Sequence, residues 1–376
     1  MNGKSYYMII QNKKTVKILL IGGGTGGSVS PLLAIAEELR IRNYELENFD
    51  FLWIGTKNGP EREMVEKENI PFKTIVSGKL RRYFSLQNFI DIFKIKIAFW
   101  QSLFILLKWR PDLVISAGSF VSVPAVWAAW FLGAKVLIHQ QDVRPGLANR
   151  LIAPIANVIS VTFENSLADY GKKAIWVGNP VRKQLSIINY QLKIKELKKK
   201  FNLQENLPIA LIIGGGTGAT AINKLVEQSL NELIKFCQII HITGKNKSIT
   251  NYKSQIMNYT QYEFLDIGRM AEVYNLADVV VSRCGLGVLS DLSYLGKPVI
   301  LIPLPDSHQE DNVAVFAKAK AAIILKQKEL TKEKLTDEIK KLIENKELQK
   351  TLSQNIKQVI KQGANKAIAE IIRAML

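Results

Sequence analysis

IGGGTGGSVSPLLAIAEEL (Ile21–Leu39) and IGGGTGATAINKLVEQSL (Ile213–Leu230) write nearly the same glycine loop twice in one chain. Each stretch leaves an apolar run and enters a helix-forming run. A strand-to-helix turn of this kind points several backbone N–H groups, and the positive end of a helix dipole, at one spot. Glycine there keeps Cβ atoms from holding an anion away from those donors. One such loop is a common tight turn. A pair suggests two domains of the same plan, each with an anion at its strand edge.

The rest of the chain repeats that plan. VKILLIGG (16–23), DFLWIGT (50–56), DLVISAG (112–118), KVLIHQQ (135–141) and NVISVT (157–162) form one set of apolar runs. PIALIIGG (208–215), QIIHITG (238–244), DVVVSRCG (278–285) and PVILIPL (298–304) form a second. Near-continuous apolar strands alternating with helices predict parallel sheets covered on both faces. The expected fold is α/β, with two doubly wound, Rossmann-like domains. Residues 1–184 form the first domain, 208–350 the second, and the lysine-rich 185–207 a linker. The apolar end of 351–376, KAIAEIIRAML, is expected to pack back on the first domain.

Composition narrows the function. A 376-residue chain is long for one core, and 47% hydrophobic residues is a globular content. The formal net charge of +18 favours anionic partners. Two cysteines, Cys237 and Cys284, are too few for a disulfide framework and indicate a reducing compartment. The N-terminal apolar stretch is too short for a signal peptide, and no run approaches the roughly 18 apolar residues of a spanning helix. Gly22-x-Gly24-x-x-Gly27 matches the dinucleotide fingerprint, but that site also needs a ribose-binding acid after the second strand. The strands in question end in Ile54-Gly55-Thr56 and Ile242-Thr243-Gly244-Lys245. A sugar nucleotide or diphosphate therefore fits better than NAD or FAD. Nucleic acid is disfavoured, because the lysines are spread out and no recognition motif is present.

Two further loops follow apolar strands, at Ser116–Phe120 and Arg283–Gly287. Four such sites over two domains suggest two phosphorylated ligands in one cleft, with strand edges facing each other as in the GT-B architecture. In order along the chain come GGTGGSVSP (23–31), AGSFVSVP (117–124), HQQDVRPGLAN (139–149), VGNPVR (177–182), GGGTGA (214–219), SRCGLGVLSD (282–291) and HQEDN (308–312). This series resembles the MurG family of glycosyltransferases. The resemblance implies inverting transfer of N-acetylglucosamine from UDP-GlcNAc to undecaprenyl-diphosphate-MurNAc-pentapeptide in peptidoglycan synthesis, at the cytoplasmic face of the membrane. The alternatives are another UDP-sugar-dependent glycolipid transferase or a UDP-GlcNAc 2-epimerase.

The resemblance also implies roles. Thr25, Gly26 and Gly27 would line the acceptor side, and Gly216 and Thr217 would face the donor. Arg182 would meet the UDP diphosphate. Leu286, Gly287, Val288, Leu289 and Ser290 would present a helix start to the donor phosphate, with Asp291 on the ribose. Met270, closing the segment from Phe264, would flank uracil; Gln309 and Asn312 would grip the sugar. The chain departs from the family at Ser28, usually His, and at Gln140, usually Glu. An acceptor hydroxyl needs a base, and with those two positions changed Asp142 leads, with His139 second. No Asp-x-Asp occurs in the chain, so no metal or other cofactor is expected, and leaving-group charge would fall to helix N-termini and Arg182.

Residues 80–110 are dense in aromatic side chains and cations. At helical spacing Asp91, Lys94, Gln101 and Lys108 form a polar stripe, while Phe89, Phe93, Trp100, Phe104 and Leu107 lie largely opposite, most of them expected against the sheet. The excess, Phe84, Phe89 and Trp100 with Lys79, Arg81, Arg82 and Lys96, suits an anionic lipid surface.

Overall fold

Short buried strands set the architecture of the computed structural model, which describes residues 14–24, 26–41, 47–78, 87–187, 194–215, 218–249 and 256–376. The chain divides into two units, 1–180 with 363–376, and 181–362. The first contains β1 (Lys14–Ile21), α1 (Ser30–Ile41), β2 (Glu47–Gly55), α2 (Glu61–Glu66), β3 (Phe72–Thr74), α3 (Gln87–Trp109), β4 (Leu113–Ser116), α4 (Ser122–Phe131), β5 (Lys135–Gln140), α5 (Leu147–Ile152), β6 (Val158–Val161) and β7 (Ala174–Trp176). Its seven strands are all parallel, in the order β3-β2-β1-β4-β5-β6-β7.

The second unit opens with α6 (Gln184–Ile187) and α7 (Ile194–Lys200). It continues with β8 (Ile209–Ile213), α8 (Thr220–Leu233), β9 (Gln238–Ile242), β10 (Tyr259–Tyr262), α9 (Ile267–Leu276), β11 (Val279–Ser282), α10 (Leu286–Leu295), β12 (Val299–Leu301), α11 (His308–Lys318), β13 (Ile323–Ile324), α12 (Lys332–Glu344) and α13 (Lys346–Val359). Its sheet is parallel as well, ordered β10-β9-β8-β11-β12-β13. Strand order reverses direction between β1 and β4 and between β8 and β11, the switch points where doubly wound sheets bind ligands. The glycine loops follow β1 and β8; the two further loops follow β4 and β11. The duplication reaches the opposite edge as well. Asp112 accepts the Lys17 N–H at 2.8 Å, and Asp278 accepts the Ile209 N–H at 2.8 Å.

The boundaries differ from the expected ones for packing reasons. The described part of the expected linker is not an open spacer: α7 buries Leu197, and Phe201 behind it is buried too. α13 puts Leu352 into the core of the second unit, so the crossing back falls at 363 rather than 351. Only the last helix, α14 (Ala364–Met375), joins the first unit. There Ile368, Ala369, Ile372 and Met375 complete a core with Leu33, Leu39 and Trp53.

α3 corrects an expectation. Asp91 of its polar stripe points inward and Gln101 is partly covered, while Lys108 is exposed and the aromatic stripe points outward. Asp91 is buried and pairs with Lys94 at 3.2 Å, while Gln101 accepts the Val76 N–H at 2.8 Å. Small Ala98 and Ser102 lie against the body, and Leu103 and Leu106 supply the apolar contact. That leaves Phe93 65%, Trp100 57% and Phe104 66% exposed, with Ile97 and Leu107 also open. Lys79, Arg81, Arg82 and Phe84 lie outside the described residues, as does the side chain of Phe89.

Candidate functional site

In the first unit three loops meet at the carboxyl edge of β1, β4 and β5. Gly24 lies against Phe120, Gln141 Nε2 donates to the Ala117 carbonyl at 3.1 Å, and Gly118 abuts Asn149. The first glycine loop is closed upon itself. A Cβ on Gly22 would stand 2.6 Å from the Ser28 carbonyl oxygen, and at the matching Gly214 it would strike the Ala219 nitrogen. These glycines permit tight backbone closure, a different reason from the approach of an anion.

The donors of that loop are engaged as well. The Gly23 N–H donates to Ser28 Oγ at 3.1 Å, and the Gly24 N–H to Glu61 Oε2 at 3.1 Å. Glu61 is fully buried at the start of α2 and also accepts the Thr56 N–H at 2.8 Å and the Thr56 hydroxyl. The loop thus rests on a buried side-chain acceptor, contrary to the expectation that it offers these N–H groups to a phosphate. Gly26 and Gly27 are partly exposed; Thr25, Gly216 and Thr217 lie outside the described residues.

His139 is corrected as a base. It has no exposed surface, Nδ1 meets Ser160 Oγ at 3.0 Å, and Nε2 meets Asn179 Oδ1 at 2.7 Å. Desolvation lowers its pKa to about 4, against a smaller opposing effect of the Asn179 hydrogen bond. Asp142, in the loop after β5, is half-buried and reachable from solvent. Arg182 is buried and already has interactions, so in this position it is not a solvent-facing cation for a diphosphate.

In the second unit the edge is open where it matters. α10 begins after Gly285, and no side chain caps it. Gly285, Gly287 and Val288 are partly exposed, whereas Leu286, Leu289 and Ser290 are buried; Ser290 Oγ donates to the Leu286 carbonyl at 2.8 Å. What α10 presents is its backbone N–H groups, with a dipole that favours an anion. Gln309 supports this start: its Oε1 accepts the Cys284 N–H at 3.2 Å and the Leu304 N–H at 3.0 Å. The amide Nε2, a double donor, is therefore the end available to a ligand. Asn312 is corrected: it is completely buried and donates to the Cys284 carbonyl at 3.4 Å, which braces the loop instead of touching a sugar.

Asp291, one turn into α10, is half-buried. Burial raises its carboxyl from 3.8 to about 7, a rise limited by a hydrogen bond from Tyr274. Tyr274 is buried, and its hydroxyl is held well above its ordinary range by desolvation and by the neighbouring carboxylate. Met270 is half-buried and Phe264 half-exposed, on the segment leading into α9. Glu61 and Tyr274 escaped sequence reading because nothing in their local pattern distinguishes them, and Asn149 closes the 139–149 motif without an assigned role; only the fold brings them to the loops. Among the described residues no cluster of histidine, cysteine or acidic side chains could hold a metal ion, and no helix is long and apolar enough to cross a membrane.

Comparison with known proteins bears on both units. The glycosyltransferase family 28 N-terminal domain matches residues 18–161, and the glycosyltransferase family 28 C-terminal domain matches 209–371. The UDP-N-acetylglucosamine–N-acetylmuramyl-(pentapeptide) pyrophosphoryl-undecaprenol N-acetylglucosamine transferase of Clostridium kluyveri is 40% identical over 335 residues, covering 87% of this chain and 91% of that protein. Its counterpart in Clostridium perfringens is 39% identical over 342 residues, covering 89% and 92%. Among solved structures, MurG of Acinetobacter baumannii superimposes with a TM-score of 0.70 at 23% identity, covering 96% of this chain and 99% of that one. A UDP-GlcNAc 2-epimerase of Neisseria meningitidis reaches 0.70 at 17% identity, covering 96% and 100%. At those identities the structures speak to the fold alone, which is GT-B.

Proposed function

Because the chain belongs to the MurG branch of glycosyltransferase family 28, it is an N-acetylglucosaminyltransferase, and we propose how its residues carry out the transfer. GlcNAc passes from UDP-GlcNAc to the C4 hydroxyl of MurNAc in undecaprenyl-diphosphate-MurNAc-pentapeptide. In a single displacement the acceptor oxygen bonds to the anomeric carbon as the bond to the UDP oxygen breaks, with inversion. Asp142 takes the hydroxyl proton. UDP leaves as an anion beside the uncapped start of α10, whose N–H groups at Gly287 and Val288 stabilise the developing charge without a metal ion.

The remaining donor contacts follow from the same edge. Asp291 accepts from the ribose hydroxyls, Gln309 Nε2 donates to a sugar hydroxyl, and Phe264 and Met270 flank the base. The observation that carries this reading is the pairing of an open helix start with a half-buried carboxylate one turn later. The exposed apolar face of α3 supports a membrane-bound acceptor. Chain and lipid meet there on the cytoplasmic face, with Lys96, Lys108 and Arg110 exposed on or next to the helix.

The test is release of UDP from UDP-GlcNAc with and without the lipid-linked muramoyl-pentapeptide. Release that depends on this acceptor, with a disaccharide product, is expected. Release without acceptor, with epimerised sugar, would assign the epimerase activity instead. Within the active enzyme, Asp142→Asn is expected to lower kcat by about 10²- to 10⁴-fold.

A further inference from the structure

Gln140 closes β5 and is 2% exposed, yet its side chain makes four hydrogen bonds. Nε2 donates to the Asp142 carbonyl at 2.7 Å and to the Arg144 carbonyl at 3.2 Å. Oε1 accepts from Asn149 Nδ2 at 2.6 Å and from the Tyr170 hydroxyl at 2.9 Å. Carbonyl oxygens only accept, so the orientation of the amide is forced, and both of its donors and both of its lone pairs are used. The commitment is strong enough to leave a neighbour short: Asn149, with its Nδ2 given to Gln140, keeps a buried Oδ1 without a partner beside Gly118.

We infer that Gln140 is a positioning residue whose neutral amide clamps the 141–146 loop and so places Asp142 for the transfer. The inference rests on the reading of Asp142 as the base. It also gives the departure at this position a physical content. A carboxylate here would set an anionic oxygen against two carbonyl oxygens in a site closed to water, an arrangement tolerated only when it is protonated. The amide supplies two donors with no proton to lose, at any pH.

The test compares Gln140→Glu with wild type from pH 6 to 8.5, using UDP-GlcNAc and the lipid-linked acceptor. The charged and titratable groups around this amide are Asp142 and Arg144 on the loop, Tyr170 with Asp169 and Arg150 near it, and His139 in the same strand. His139, with its pKa near 4, stays neutral over this range, and burial holds Tyr170 above its ordinary value. At pH 8 the variant is expected to lose about 30-fold in kcat, with KM for UDP-GlcNAc within about twofold. The deficit should shrink to about fivefold or less at pH 6, where the buried acid holds a proton it can donate.

A deficit under threefold at pH 8, or one that does not change with pH, overturns the inference. If the variant does not fold at pH 8, the same clamp requires its Tm to approach that of wild type on acidification; a constant gap overturns it equally. Asp142→Asn separates the two readings. Wild-type turnover in that variant removes the base assignment, while the pH-dependent ratio for Gln140→Glu measures the clamp.

Discussion

Replacing Trp100 and Phe104 on α3 with serine should detach the protein from anionic membranes and leave its fold intact. Full burial of a large apolar side chain stabilises by about 1.5–3 kcal/mol. These two keep 57% and 66% of their surface open, so a lipid surface that covers them gains roughly 1–2 kcal/mol from each. The double variant then loses at least about 2 kcal/mol, or roughly 30-fold in partition at 1.4 kcal/mol per decade. Co-sedimentation with phosphatidylglycerol vesicles measures this, and binding of both proteins should fall as salt screens the exposed lysines. Neither side chain belongs to a core, so Tm should hold within about 2 °C. Vesicle binding within threefold of wild type would refute a lipid-facing stripe. A Tm lower by many degrees would refute the outward orientation of the helix.

Three other outcomes follow from the site. Between pH 4 and 7 folded Asp291 keeps a proton that the unfolded chain has released, so this carboxyl lowers stability as pH rises toward about 7. Asp291→Asn should therefore raise Tm at pH 8 while weakening UDP binding by about 10- to 100-fold; calorimetry reads both, and wild-type UDP affinity should fall as pH drops below 7. His139 and His241 act in the opposite sense, because burial lowers each to about 4. Below pH 6.5 the unfolded chain takes up protons the folded one refuses, so this stability is lost as pH falls toward 4. His139→Gln should cost Tm, yet lower kcat by less than about tenfold; a loss of 10²-fold or more would restore His139 as the base. Turnover after EDTA treatment should stay within about twofold, and inactivity rescued by Mg²⁺ would remove the metal-free account.

The fold was legible because its strands are short, apolar and each followed by a turn, a pattern that determines sheet type directly. The start of α10 was legible for a similar local reason: glycines at Gly285 and Gly287 between a strand and a helix expose backbone. Asn312 was not, since its spacing from Gln309 by one turn says nothing about which of them faces the core. α3 misled because amphipathicity reports two faces and not which one is covered. The answer lay in the fold, which buries Asp91 and sets Gln101 to accept the Val76 N–H. Gln140 read as a loss of acid, yet the fold turns its amide into the centre of a loop.

The two glycine loops, nearly identical in sequence, have diverged through what lies beneath them. Under the first sits Glu61, which accepts the Gly24 N–H, while Ser28 accepts the Gly23 N–H. A phosphate placed over those groups would find those donors occupied. In the second unit the Gly214 N–H donates to the Ile242 carbonyl of β9 and the Gly218 N–H to the Gly215 carbonyl, so these two donors are engaged as well. No side chain caps the start of α10, and Gln309 and Asn312 brace the loop that leads into it from behind. Repetition of the motif therefore marks repetition of the turn.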